Sequence, residues 1–468
     1  MSATLPAHAR DDLVEMTQAA LDDVRLERLR AQTALLATAS PFYRERLRAT
    51  GPPTTFEELA HVAPTTKADF LGAPEDFRLR LGSDAPAEEQ ALAYLIYTTG
   101  TTSGRPAPLY ITAADDWAYQ LHARRCAQIL GFGAEETIAN LFPLTPFPMG
   151  ARIRTDRTAA ALGTALVQGH TGSAHPDWPV HRRLDEAIDL VHTHRATVLW
   201  GVSGFVRRFV IRAAERGVDL GHVRWCFITG EATSPARMAD LRARLTAAGA
   251  DGARVVDRYG STEGWSMVAC DGAHGWHNPS PEDIYLEVVD PVTHLPVPDG
   301  EEGALLLTHL RARGTALLRY AVGDVARLTR GRCPGCGRIG ERLLAPPVRT
   351  GGLTKVNGTL VNTGAIVDAL ASVSGLREWR VATEYATAGQ ELSGDALVVE
   401  IAPEPGVLTG DPSALADVQA RVADLVRTQA HLAPTVRVVE ADDIFTPTRE
   451  TKPRRYIERR VPGTGGAA

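Results

Sequence analysis

The sequence predicts an α/β fold with a large N-terminal domain built on parallel βαβ sheets plus a β-rich subdomain, followed by a small α+β C-terminal domain. Two changes of pattern and one boundary predict it. From about 92 to 260, short apolar runs alternate with amphipathic stretches, as in strands joined through helices. After 260 the apolar runs shorten and turn residues separate them. Pro, Pro, Gly and Gly then cluster in "APPVRTGG" (345–352), which puts the boundary between residues 1–348 and 349–468 with a hinge near 349–352.

The elements follow in order. Residues 10–48 read as a helical arm (within 1–50), with Leu13, Met16, Ala20, Val24, Leu26 and Leu29 on an apolar face. "TVLWG" (197–201) reads as a strand, "SGFVRRFVIRAAERG" as a helix and "VRWCFITG" (223–230) as a strand. The next helix has Ser234 as N-cap and Pro235 at its first position, and "ARVVDRYG" supplies a third strand, so βαβαβ with parallel strands is expected. Within the β-rich subdomain (265–345), "IYLEVVDPVTHLPVPDGEEGALLLTHL" holds two alternating runs split by a Pro-Asp-Gly turn. The C-terminal domain contributes a strand "GDALVVEIAP", a helix from about Ser413 to His431 and a strand "TVRVVE". The tail "GTGGAA" is expected to be disordered.

Composition narrows the function. A net charge of -6 with only short, scattered arginine clusters excludes a nucleic-acid binder. No run of 18 apolar residues occurs, and "MSATLPAHARDDLVEM" carries acids where a signal peptide needs an apolar core, so a cytoplasmic protein that spans no membrane is expected. Five cysteines in 468 residues point to thiol or metal chemistry rather than a disulfide framework. Only three lysines, Lys67, Lys355 and Lys452, stand against 47 arginines. Those three mark places where a compact charge on a flexible stem does what a planar guanidinium cannot.

"LIYTTGTTSGRPAPLYIT" (95–112) places glycines and four threonines between two apolar runs. Glycines admit a ligand to the backbone, hydroxyls donate to phosphate oxygens, and successive N–H groups form an anion-binding concavity. It is not a Walker loop, because Gly-Lys-Ser/Thr is missing. The segment resembles the phosphate-binding signature of the adenylate-forming superfamily of acyl-CoA synthetases, adenylation domains and luciferases. Other stretches resemble that family's motifs in the family's order: "ITGEATS" (228–234), "DRYGSTEG" (257–264), "LLRYAVGDVARL" (317–328), "VRTGGLTKVNGTLVNTGAIVDAL" (348–370) and "TPTRETKPRR" (446–455). "SPFYRERL" (40–47), "APTTKADF" (63–70) and "RCPGCGRIGERL" (332–343) resemble the phenylacetate-CoA ligase branch.

The resemblance implies roles residue by residue. Thr98, Thr99, Thr101, Thr102 and Ser103, with the backbone at Gly100 and Gly104, would hold the β- and γ-phosphates of ATP. Gly230, Glu231, Ala232 and Tyr259 would flank adenine, with Gly260 and Ser261 in the same signature; Asp324 and Arg349 would reach the ribose. Thr262 would touch the α-phosphate, and Glu263 is a hard oxygen donor suited to Mg²⁺. Lys452 falls on the catalytic lysine that bridges carboxylate and α-phosphate, carried by a small mobile C-terminal domain that rotates between half-reactions. The chain departs from the usual pattern at Gly351 and Gly352 in the hinge, at Ser103, and at Thr451 and Pro453 around the lysine. "NLFPLTPFPMGAR" (140–152), in the loop after the phosphate-binding region, is the candidate acyl pocket.

A second constellation stands apart. Cys333 and Cys336 form a Cys-Pro-x-Cys-Gly turn whose N–H groups point at the sulfurs, and "ACDGAHGWHN" (269–278) adds Cys270 with His274 or His277. A structural Zn²⁺ on Cys270, His277, Cys333 and Cys336 is expected, His277 being preferred because it begins the next strand. Cys126 and Cys226 lie in apolar surroundings and are expected in the core.

These readings lead to an ATP-dependent ligase that activates a small aromatic carboxylic acid as its AMP anhydride and passes the acyl group to CoA, with Mg²⁺ and ATP as cofactors and a homodimer as the resemblance-based expectation. The departures at the hinge leave open the same adenylation with an amine or carrier-thiol acceptor, or activation of nitrite as the oxyanion. A non-catalytic nucleotide-binding protein is the alternative of another class, against which the retention of Lys452 argues.

Overall fold

The computed structural model describes residues 12–98, 106–145, 147–172, 181–231, 233–345, 347–349, 353–387, 394–409, 412–447 and 452–460. The expected arm is three helices rather than one: Asp12–Glu15, α1 (Gln18–Ala39) and Pro41–Arg46. Thr17 caps α1 by accepting from the Ala20 N–H, and Ser40 caps the third helix ahead of Pro41, whose ring cannot continue the ladder. The buried stripe of α1 is Leu21, Arg25, Leu29, Gln32, Thr33 and Leu36, whereas Ala20 is exposed. Arg25 is buried because Glu341 (2.5 Å) and the Pro281 carbonyl (2.7 Å) receive its guanidinium, partners remote in sequence.

Next comes an antiparallel hairpin of β1 (Leu92–Tyr97) and β2 (Pro108–Thr112), then α2 (Ala113–Leu130), β3 (Thr137–Asn140), α3 (Gly150–Leu162), β4 (Ala165–Gln168) and α4 (Leu184–Thr193). The expected βαβαβ is present as β5 (Val198–Val202), α5 (Ser203–Glu215), β6 (Trp225–Thr229), α6 (Pro235–Ala247) and β7 (Arg254–Asp257). All pairings in this sheet are parallel, in the order β4-β3-β5-β6-β7. Strands and helices bury one continuous apolar cluster that includes Cys126 and Cys226. Burying each large aliphatic side chain in such a cluster contributes about 1.5–3 kcal/mol.

The β-rich region is an eight-stranded antiparallel sheet. Its strands are β8 (Tyr259–Gly260), β9 (Ser266–Ala269), β10 (Trp276–His277), β11 (Ile284–Val289), β12 (Glu302–His309), β13 (Tyr320–Thr329), β14 (Arg342–Leu343) and β15 (Val348–Arg349). A second cluster joins this sheet to the arm through Leu29, Leu36 and Tyr43, and also takes in Phe70 of the helix Lys67–Gly72. The remaining elements are the hairpin β16 (Leu353–Val356)–β17 (Thr359–Asn362), α7 (Thr363–Leu370), β18 (Leu376–Tyr385), β19 (Asp395–Pro403), α8 (Pro412–Ala430), β20 (Thr435–Val438) and β21 (Tyr456–Glu458). Here β20-β19-β18-β21 form a four-stranded sheet over a third cluster containing Trp379, Val399 and Val422. Among the described residues no helix is long and apolar enough to cross a membrane.

Candidate functional site

Of the sequence-predicted nucleotide residues that the structure describes, Gly230 and Glu231 follow β6 and Tyr259, Gly260 and Ser261 follow β7, at carboxyl ends of the kind where open α/β sheets bind ligands. Thr98 closes the base of the 98–107 loop: its N–H donates to the Ala107 carbonyl and its Oγ1 accepts from the Ala107 N–H, both at 3.0 Å. Tyr97 N–H donates to Pro148 O (2.9 Å), which ties this loop to the acyl-pocket segment. The Tyr97 and Phe147 rings sit 5.1 Å apart at that junction. Gly150 opens α3 so close to Thr262 that a Cβ there would lie 3.0 Å from Thr262 Cγ2.

Asp324 owes its position to a bulge. Between Ala304/Val325 and Leu306/Ala321 the β12–β13 register slips, and Gly323 turns the chain at φ +85°, a conformation that favours glycine. Asp324 thereby pairs with Arg349 of β15, and its carboxylate accepts from the Tyr259 hydroxyl at 2.7 Å. Glu263, also buried, accepts from the Tyr320 hydroxyl at 2.8 Å. Ser261 accepts from the Gly264 N–H (2.8 Å), and Gly260 pairs with Ser266 in β8–β9.

At the end of β6, Gly230 takes φ +84°. The Glu231 carboxylate turns to the first turn of α5 and accepts from the Gly204 N–H at 2.7 Å. Pro453, directly after Lys452, packs on that same Gly204. Thr99, Gly100, Thr101, Thr102, Ser103, Gly104, Ala232, Gly351, Gly352, Thr451, the tail and the Arg349 side chain lie outside the described residues.

Two residues were not singled out from the sequence. Arg154 of α3 donates to the carbonyls of Ser261 (3.0 Å), Thr262 (3.0 Å) and Gly264 (2.7 Å), so it clamps the Ser-Thr-Glu-Gly turn from the acyl side. It lies two residues beyond the acyl-pocket stretch read from the sequence (140–152) and gave no signal there. Asp257 ends β7, and burial pushes its carboxyl up to about 7 against an opposing hydrogen bond from Thr233.

The four residues expected at the metal site meet. Ligand atoms of Cys270, His277, Cys333 and Cys336 all lie within 4.8 Å of one another, with Cys270 Sγ–Cys333 Sγ at 3.9 Å and Cys336 Sγ–His277 Nε2 at 3.5 Å. A tetrahedral ion with Zn–S about 2.3 Å and Zn–N about 2.0 Å requires S···S near 3.8 Å and S···N near 3.5 Å. Burial and the neighbouring Cys336 and Cys333 push the Cys270 thiol up to about 12, a repulsion that a cation relieves. Burial, with Arg342 and Arg338, pushes His277 down to about 4, which keeps the ring neutral as a metal ligand must be. His274 instead faces the Asp271 carboxylate at 2.7 Å.

The AMP-binding enzyme family matches residues 19–309. The phenylacetate-coenzyme A ligase of Thermus thermophilus is 26% identical over 338 residues, 69% of this chain and 68% of that protein. The enzyme of the same name from Pseudomonas putida is 23% identical over 344 residues, 70% of this chain and 71% of its own. A crystal structure of 2-hydroxyisobutyryl-CoA ligase in the postadenylation state superposes with a TM-score of 0.78 at 20% identity, covering 97% of this chain and 94% of that one. The same ligase in the thioesterification state gives 0.62 at 21% identity over the same shares. The family match spans more than half of the sequence, so the chain belongs to the AMP-binding enzyme family, in its phenylacetate-CoA ligase-like branch, and is an ATP-dependent, AMP-forming ligase.

Proposed function

We propose that the protein activates a small aromatic carboxylic acid as acyl-AMP and transfers the acyl group to CoA. The observation that carries the reading is the docking of the lysine segment, through Pro453, on Gly204 beside the β6 turn, which supports a role for Lys452 at the edge of the nucleotide site. A carboxylate oxygen of the acid attacks the α-phosphorus of ATP, the bond to the bridging oxygen breaks, and pyrophosphate leaves. Lys452 balances the charge that builds on the α-phosphate, and Thr262 donates to the same group. Asp324, oriented by Tyr259, accepts from the ribose, with Arg349 beside it in the strand pair. The thiol of CoA then attacks the acyl carbon, forming the thioester and releasing AMP.

Glu263, a carboxylate oriented by Tyr320, would hold Mg²⁺, which supplies charge neutralisation for the phosphates. The Cys270, His277, Cys333 and Cys336 set would hold Zn²⁺ with no open position, a structural rather than a catalytic arrangement. The Tyr97–Phe147 ring pair and the names of the relatives support an aromatic acid. The domains would divide at 348/349, with the hinge at 349–352. AMP release from ATP tests the reading across aryl acids, short-chain acids and nitrite, each with CoA present or omitted. An aryl acid whose turnover rises with CoA is the expected result. AMP release that responds instead to an amine or carrier thiol, or to nitrite, replaces the acceptor or the acid and keeps the adenylation.

A further inference from the structure

We propose that the first turn of α5 is the seat for the lysine-bearing segment, with Gly204 admitting Pro453 and Arg207 acting as the positioning residue that holds the segment there. This rests on the reading of Lys452 as the adenylating cation. A Cβ on Gly204 would lie 2.6 and 2.7 Å from Cδ and Cγ of Pro453 and 2.9 Å from Glu231 Oε1. Glycine in a helix carries an entropic cost. Close approach of the proline ring is the reason it stands here.

Three residues along α5, Arg207 reaches the start of β18. Its Nε pairs with Asp240 at 2.6 Å, Nη2 donates to the Leu376 carbonyl at 3.1 Å, and Nη1 donates to the Arg377 carbonyl. Those carbonyls are presented where the β18–β19 register slips between Leu376 and Glu378. Arg244 of α6 donates to the same Leu376 carbonyl at 3.2 Å. Next in the strand, Glu378 is fully buried; it accepts from Arg455 Nη1 at 2.6 Å and stands 3.7 Å from Arg207 Nη1. Both guanidiniums lie over the Trp379 ring, at 5.1 and 4.6 Å.

Arg455 is three residues beyond Lys452, so the contacts run from α5 through Glu378 and Trp379 to the lysine segment. Upstream of the lysine, Ile444 and Phe445 are buried in the apolar cluster of the parallel sheet, and Arg208 pairs with Asp442 at 2.5 Å. The segment is thus pinned on both sides of Lys452 by α5 and its sheet. Arg207 touches no reacting atom and acts on Lys452 only through Glu378 and Arg455.

Amide hydrogen exchange on the full-length chain tests the seat with Gly204→Ala, Arg207→Lys and wild type. Arg207→Lys keeps the charge and loses the planar fork. Both variants should raise exchange in 453–458 by about tenfold or more and leave 397–401, inside the C-terminal sheet, unchanged. AMP formation should fall by about 10- to 100-fold with the KM for ATP moved less than about threefold, the signature of a misplaced catalytic group. Unchanged exchange in 453–458 in both variants overturns the seat. Lys452→Ala keeps the two readings apart: retained AMP formation there would sink the role of the lysine, whereas the exchange result judges the seat alone.

Discussion

At its start, β13 gives Tyr320 and Asp324 to the nucleotide side; four residues past its end, the same chain gives Cys333 to the cysteine–histidine cluster. The two ends differ in how their polar atoms are completed. At the cluster, three sulfurs and one neutral imidazole converge from two turns of one sheet, and nothing further is needed but an ion. At the nucleotide end, carboxylates are oriented by hydroxyl donors, Tyr259 on Asp324 and Tyr320 on Glu263, and the segments around them come from distant parts of the chain. On the proposed reading, a site for a permanent ion closes on itself, whereas a site for turnover is assembled from pieces that the ligand and the lysine segment complete.

The largest effect expected from this contrast comes at the open end. Glu263→Gln keeps an acceptor for Tyr320 and removes the charge. AMP formation should fall by about 10²- to 10³-fold, as for loss of a preorganised electrostatic group, while zinc content stays at the wild-type level. Activity within about threefold of wild type would remove Glu263 from the chemistry.

At the closed end the order of effects reverses. Cys333→Ser should abolish stoichiometric zinc, measured by elemental analysis, and lower the thermal midpoint by several degrees, about 2–4 °C for each kcal/mol lost in a large domain. Part of that loss is the docking of the first helix: Ile339 N–H donates to Leu13 O (3.0 Å) and Arg332 to Val14 O (2.8 Å) and Met16 O (2.9 Å). AMP formation at low temperature should stay within about threefold of wild type, because a four-ligand cluster that converges on itself leaves no open position for chemistry. A collapse of activity in the folded variant would make the two ends one site.

Much of this was legible because it is local. Ser234 caps α6 and Pro235 starts it as its residues dictate, and β5, β6 and β7 fall where apolar runs end in glycine or turn signals. Cys-Pro-x-Cys-Gly spacing suggested a knuckle, but the sequence left the choice between His274 and His277 open; in the structure His277 is buried in β10 and His274 faces Asp271. What was not legible depends on partners remote in sequence. The arm reads as one apolar helix, but its buried stripe runs through Arg25 and Gln32, which are satisfied by Glu341 and by the Ala312 carbonyl. Arg154 looks like any surface arginine until three carbonyls of the 261–264 turn are seen to converge on it. Gly204 gave no signal either, since the neighbours that exclude a side chain there, Pro453 some 250 residues away and Glu231, are remote in sequence.

The smallest predicted effect sharpens the contrast most finely. Tyr259→Phe removes the hydroxyl that donates to Asp324 and changes little else, because the ring keeps its packing in the second cluster. A hydrogen bond to a charged group is worth about 1.5–3 kcal/mol, so the carboxylate loses orientation rather than burial. If Asp324 binds the ribose, the loss is felt equally in the ground and transition states. KM for ATP should therefore rise about tenfold with kcat changed less than about twofold. A fall in kcat at constant KM would instead mean that this pair acts on the reacting phosphorus, and the ribose role would pass from Asp324 to another group. Zinc content should not move, since the β13 bulge at Gly323 and the cysteine turn are held by separate backbone pairings.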